Sequence, residues 1–236
     1  MLAAVGALAA CAGGTSSGGA GGSTAAPAVI EVQAATADPM TGEALSNGQW
    51  QGATWHDLTG ALNDPRSGPE TRAAMLYDAK NLYVAFISEN DPPAGRDDSV
   101  ELWLDSSAAG AWYRAQQAAA PKADGSPDST HIVNVIQRPV KGLEARSAYG
   151  VVEGKPVWTV VIKLPLEGLP GPLAAQGKAG EHWRVNLLRY ELQTTAGGGP
   201  IVIQSNLAPI YQASQPLSPY RMAEAVLQAP HGGGIQ

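Results

Sequence analysis

Cysteine is nearly missing: Cys11 is the only one in 236 residues. A single thiol builds neither a disulfide framework nor a Cys-based metal site. Charge is also sparse. Asp, Glu, Lys and Arg make up 15% of the chain, against about 25% in an ordinary soluble protein. The 15 Lys and Arg are outnumbered by 21 Asp and Glu, for a net charge of −6. No basic run occurs, which excludes nucleic acid as a partner, because its binding relies on clustered cations. The apolar run from Leu2 to Ala10 is far short of the roughly 20 residues of a membrane-spanning helix. What is plentiful is glycine and proline, 28 and 18 residues. Both break helices, so a long-helix or coiled-coil protein is excluded. A hydrophobic fraction of 44% keeps the chain out of the disordered class. The length fits one large β domain or two small ones.

Residues 1–30 hold no charged side chain. Leu8-Ala9-Ala10-Cys11 resembles the lipobox of bacterial lipoprotein signal peptides, a Leu and two small residues before the lipidated Cys. The resemblance implies a signal peptide over 1–10, lipidation at Cys11 and attachment to a membrane through that lipid. The basic n-region of such peptides is missing, since Met1 is followed directly by Leu2. Ala12 stands where enteric bacteria use Asp for inner-membrane retention, which points to the cell envelope at the outer membrane or cell surface. Residues 11–28 are Gly- and Ser-rich and read as a flexible linker. The folded domain is expected over 29–228, with a flexible Gly-rich tail over 229–236.

Strand signals fill the middle. Ala74–Tyr77 and Leu82–Ile87 flank Asp78-Ala79-Lys80-Asn81, which predicts a hairpin. Val100–Asp105 alternates, with Val100, Leu102 and Leu104 toward a core and Glu101, Trp103 and Asp105 on the other face. Further strands are expected at 112–118, 131–137, 145–152, 158–164, 183–190, 201–204 and 223–227. Pro165–Leu169 has room for one short helical turn. Strands separated by Gly, Pro, Asp and Asn loops predict an all-β protein, an antiparallel β-sandwich.

In this order the segments resemble the family 9 carbohydrate-binding modules and their DOMON-like relatives. Pro39-Met40-Thr41-Gly42 and Trp50-Gln51-Gly52-Ala53 look like the family's opening, and Asp98 to Asp105 like its most distinctive strand. Trp112-Tyr113-Arg114, Trp158 to Leu166, Trp183-Arg184-Val185-Asn186 and Pro219 to Leu227 follow in family order. The resemblance implies a β-sandwich that binds a glycan, often with structural calcium. It places Glu101 at the family's sugar-contacting glutamate and Gln116 where some members carry a sugar-binding arginine. The chain departs at the sugar clamp. Gly95 and Pro216-Leu217 stand where the best-known members have tryptophans, and Thr41 replaces the opening Asp.

Glu101, Trp103, Trp112, Arg114, Gln116 and Asn186 are therefore the carbohydrate-binding candidates. Sugars stack C–H faces on aromatic rings and give hydroxyls to planar polar groups. The alternative is that Trp103 and Trp112 pack beneath a loop while Glu101 pairs with Arg114. Asn186 and Arg189, three apart on one strand, face opposite ways. Trp158 shares a face with Val160, Ile162 and Leu164, which makes it a core residue. Trp50, Trp55 and Trp183 are structural by the same reading. Glu89, Asp91, Asp97 and Asp98 form an acidic loop cluster in which Asp91, Asp97 and Asp98 are calcium candidates. Their spacing fits no EF-hand, so a solvated loop competes with that reading, and no cofactor other than calcium is expected.

Catalysis finds no signature. Glu101 and Asp105, four residues apart on one strand, stand more than roughly 10 Å apart, too far for a retaining glycosidase. No nucleophile elbow, zinc-protease motif or phosphate loop occurs. The reading is a non-catalytic, lipid-anchored carbohydrate-binding module. Its alternatives are a scaffold or ligand-binding lipoprotein with a non-sugar or protein partner, a haem-binding domain using Met75 or Met222, and a glycoside hydrolase.

Overall fold

A computed structural model describes residues 28–41, 45, 47–60, 70–89, 98–106, 113–118, 131–134, 140–169, 175–194, 198–208 and 222–230. Among them are thirteen strands: β1 (Val29–Ala34), β2 (Trp55–Asp57), β3 (Thr59–Gly60), β4 (Thr71–Tyr77), β5 (Asn81–Glu89), β6 (Ser99–Asp105), β7 (Tyr113–Ala118), β8 (His131–Asn134), β9 (Glu144–Val152), β10 (Lys155–Pro165), β11 (His182–Thr194), β12 (Pro200–Asn206) and β13 (Ala223–Leu227). One short α-helix, α1 (Gly48–Gln51), and one 3-10 turn at Leu166–Gly168 complete the elements. The all-β sandwich is therefore observed, and the short helical turn after Pro165 is in place.

Hydrogen-bonded strand order runs β8-β7-β6-β11-β13-β1-β4-β5-β10-β9, with β12 beside β11 and β2 beside β4. The path folds back at β1. Val29 to Val32 pair with Glu224 to Leu227 of β13, and Gln33 and Ala34 with Leu76 and Tyr77 of β4. One strand thus seams two sheets, and both of its pairings are parallel. This refines the antiparallel expectation, since every other pairing among the described strands is antiparallel.

The two sheets face each other across one apolar core. Val100, Leu102 and Leu104 of β6 and Val185 and Leu187 of β11 meet Ala73 and Met75 of β4, Val84 and Phe86 of β5, and Trp158, Val160 and Ile162 of β10. Alternate residues of each strand supply this layer, as the two-residue period requires. Trp158, Trp183 and Trp50 are wholly or nearly buried, and Trp55 is half-buried against Trp50.

Two turns show why the chain reverses where it does. In the β4–β5 hairpin, Asp78 Oδ1 accepts from the backbone N–H of Lys80 and of Asn81, at 2.6 and 2.7 Å, and Oδ2 accepts from Tyr83 Oη at 2.7 Å. Gly177 packs against this turn with φ +57°, where a Cβ would lie 2.1 Å from the Asp78 carbonyl oxygen. Only glycine fits there.

Candidate functional site

The far face of the first sheet, β8-β7-β6-β11-β13 with β12, gathers most of the sequence candidates, because β6 and β11 are neighbours and their non-core residues fall in register. Trp103 lies opposite Asn186, and Glu101 opposite Leu188. On the other side of β6, Arg114 of β7 is opposite Trp103, and Gln116 is opposite Glu101. Asn206 of β12 is opposite Leu188, and Gln204 opposite Tyr190. Five of the six candidates therefore fall on one patch of three adjacent strands. Trp112 lies outside the described residues, as do Cys11, Asp91 and Asp97.

The alternation rule assigns this face to solvent, yet it is covered. Glu101 and Asp105 are 0% exposed, Asn186 1% and Trp103 4%. Trp103 packs with Leu188 and Met222, with Tyr190 against them. Its indole Nε1 donates to Glu101 Oε2 at 2.8 Å. The ring is thus a packed side chain held by the neighbouring carboxylate. A packed Trp103 is one half of the alternative reading; the other half, Glu101 paired with Arg114, rests on a side chain outside the described residues.

Asn186 is bound to the chain that follows β12. Its Oδ1 accepts from the Ala208 N–H at 3.0 Å, and its Nδ2 donates to the Ala208 carbonyl at 3.4 Å. The side-chain amide imitates one step of strand pairing and fixes the exit of β12. Sequence reading missed two neighbours, Gln204 and Asn206. Gln204 Nε2 donates to Asn206 Oδ1 at 2.8 Å. Gln204 Oε1 and Asn206 Nδ2 are buried without a protein partner. Together they leave one acceptor and one donor, the combination a hydroxyl satisfies. Their spacing of two residues on a strand is the only signal the sequence carried.

A second polar group lies inside the sandwich. Arg189 shares the core face with Val185 and Leu187, opposite in sense to Asn186, as strand geometry dictates. Its Nη2 donates to Asp98 Oδ2 at 2.9 Å, with the two side chains 1% and 3% exposed. The guanidinium carbon stands 5.0 Å from the Trp158 ring centroid, a cation–π stack. Burial pulls the Arg189 guanidinium below the usual arginine range, and Asp98 opposes that shift. Burial likewise raises the Glu191 carboxyl. Asp98 is thus the counter-ion of a buried arginine. Among the described residues no group of three or more His, Cys, Asp or Glu is arranged to hold a metal ion. Met75 lies in the core between the sheets and Met222 on the far face of the first sheet, so they share no site.

No family model matches the chain. No curated protein matches it either. Solved structures do. A family 9 carbohydrate-binding module from Caldicellulosiruptor kristjanssonii in complex with cellotriose is 12% identical, with a TM-score of 0.54 over 88% of this chain and 97% of that one. A family 9 module from the same organism in complex with glucose is 11% identical, with a TM-score of 0.54 over 88% of this chain and 99% of that one. A Bacteroides uniformis protein is 15% identical, with a TM-score of 0.53 over 86% of this chain and all 100% of that one. The protein has a fold like that of the family 9 carbohydrate-binding modules.

Proposed function

We propose that this protein binds a polysaccharide or oligosaccharide without catalysing a reaction, and that it does so at the cell envelope, held by lipid on Cys11. The observation that carries the reading is the fold likeness, nearly end to end, to modules in complex with cellotriose and glucose. The far face of the first sheet is the binding region. Glu101 fixes Trp103 beneath it, and Arg114 and Gln116 fall at adjacent register positions. The unpartnered Gln204 Oε1 and Asn206 Nδ2 add a neutral donor and acceptor suited to hydroxyls. The sparse charge of the chain, 15%, accords with a neutral ligand. A glycan array of plant, algal and bacterial sugars, with and without calcium, followed by calorimetry on each hit, tests the reading. Binding to at least one glycan class is expected, and silence across all of them overturns it. Palmitate labelling of the expressed protein tests the anchor. Label lost in Cys11→Ser supports it, and label retained, or never incorporated, refutes it.

A second reading has its own support. The face is closed, with Trp103 4% exposed, and the clamp tryptophans are replaced by Gly95 and Pro216-Leu217. On that reading the sandwich is a scaffold that takes a protein or another non-sugar ligand. Co-purification from detergent-solubilised membranes distinguishes the two, since a stoichiometric protein partner favours the scaffold.

A further inference from the structure

We infer that Tyr190 is the ring on which the glycan stacks, which places a neutral pyranose at the β12 end of the far face; the inference rests on the carbohydrate-binding reading above. The middle of that face is closed. Glu101, Asn186 and Leu188 are buried, and Trp103 packs with Leu188 and Met222. The cover thins two residues further along β11. Tyr190 is half-buried, and Val202 on β12 is 50% exposed. Among the Trp and Tyr side chains described on this face, Tyr190 is thus the one that reaches the surface. It packs against the Trp103, Leu188 and Met222 cluster. A ring held in place before the ligand arrives loses little freedom on stacking.

Strand register assembles the rest of the subsite. Tyr190 stands opposite Gln204, so their Cβ atoms are about 4.5–5.5 Å apart. Val202 shares a face with Gln204, because the two are two residues apart on one strand. Val202 therefore lies on the diagonal from Tyr190, at about 7–8 Å. Ring and valine make an apolar step at the surface. Gln204 and Asn206 lie behind it, where Gln204 Nε2 donates to Asn206 Oδ1 at 2.8 Å. That bond orients both amides, so Gln204 Oε1 remains as an acceptor and Asn206 Nδ2 as a donor.

A pyranose has the same division. Its faces are C–H groups, which stack on a ring, and its rim carries hydroxyls that both donate and accept. The class of sugar follows from the charge of these groups. Tyr190, Val202, Gln204 and Asn206 are all neutral side chains. A uronate carboxylate set among them would lose water without gaining a counter-ion from any of the four.

Calorimetry on the full chain carrying Cys11→Ser, with the glycan selected by array, tests the inference. Tyr190→Phe keeps the ring and should bind within about threefold of the parent. Tyr190→Leu keeps apolar packing but removes the ring, and should lose at least about fivefold in affinity. Nuclear Overhauser contacts should join sugar C–H protons to ring protons that vanish in Tyr190→Leu. Val202→Glu, at an exposed site, should leave the melting temperature unchanged and weaken binding at least about threefold, which keeps the test open should a Tyr190 variant fold poorly. A parent that binds no glycan overturns the carbohydrate reading and this inference with it. A parent that binds, beside Tyr190→Leu and Val202→Glu at full strength, overturns this inference alone. So does tighter binding of an oligouronate than of any neutral glycan.

Discussion

Asp98→Asn is the perturbation that most sharply separates a structural ion pair from a decorative one. Asp98 and Arg189 meet at 2.9 Å with side chains 3% and 1% exposed. Water cannot take over when one charge is removed. The asparagine keeps the shape but leaves a buried guanidinium, against the Trp158 ring, without its counter-charge. Breaking a buried pair from one side costs about 3–5 kcal/mol. For a domain of this size each kcal/mol shifts the melting temperature by roughly 2–4 °C, so a fall of roughly 6–20 °C is expected. Thermal and urea unfolding of Asp98→Asn, Arg189→Met and the double variant would measure it. The double variant should lose much less than the sum of the singles, because it strands neither charge. The difference should persist in high salt, since a dry pair is poorly screened. A loss below about 1 kcal/mol, the range of exposed pairs, or strict additivity would refute this account of the interior.

Three further outcomes follow from other parts of the molecule. Gly177→Ala should destabilise by about 1–3 kcal/mol, seen in urea titration, because φ is +57° and a Cβ would strike the Asp78 carbonyl. At Asp78, burial alone would raise the carboxyl, but the hydrogen bonds from Tyr83, Lys80 and Asn81 outweigh it and hold it below the ordinary carboxylate value. A depressed folded value means that its contribution is complete above the unfolded pKa of about 4 and is lost as pH falls through the folded one. Melting scans from neutral to acid pH should thus show Asp78→Asn destabilised at pH 7, with the gap to the parent closing in acid. Asn186→Ala should cost about 1–3 kcal/mol, since it strands the buried Ala208 backbone groups.

The strands were legible where the two-residue period is strong. The segments read at 100–105, 145–152, 158–164 and 223–227 reappear as β6, β9, β10 and β13 with small changes at their ends. The seam strand β1 was not, although Ile30 and Val32 alternate with Glu31 and Gln33. Its partners, β13 and β4, lie far away in the chain, and no local signal announces a parallel seam. The helix α1 was also hidden. It is a single turn capped by Asn47, whose Oδ1 accepts from the Gln49 N–H at 2.9 Å. It is tied down by Trp50 Nε1 donating to the Pro39 carbonyl at 3.2 Å. Such contacts are tertiary and override weak propensity. At the site, strand alternation put Glu101, Trp103 and Asp105 on one face, as observed. It could not show that this face is covered, because cover comes from other parts of the chain. The opposite orientations of Asn186 and Arg189 were readable from spacing alone. The partner of Arg189 was not, since Asp98 is paired with it across 91 positions.

The central claim is that this sandwich holds a glycan on the far face of its first sheet. Isothermal titration of the Cys11→Ser protein with the glycan selected by array, beside Glu101→Gln and the double variant Gln204→Ala/Asn206→Ala, tests it most directly. The account predicts saturable binding by the parent with a Kd tighter than about 1 mM, and at least about a tenfold loss in each variant that still melts cooperatively. Full-strength binding by both variants, or no binding by the parent to any glycan, would contradict it.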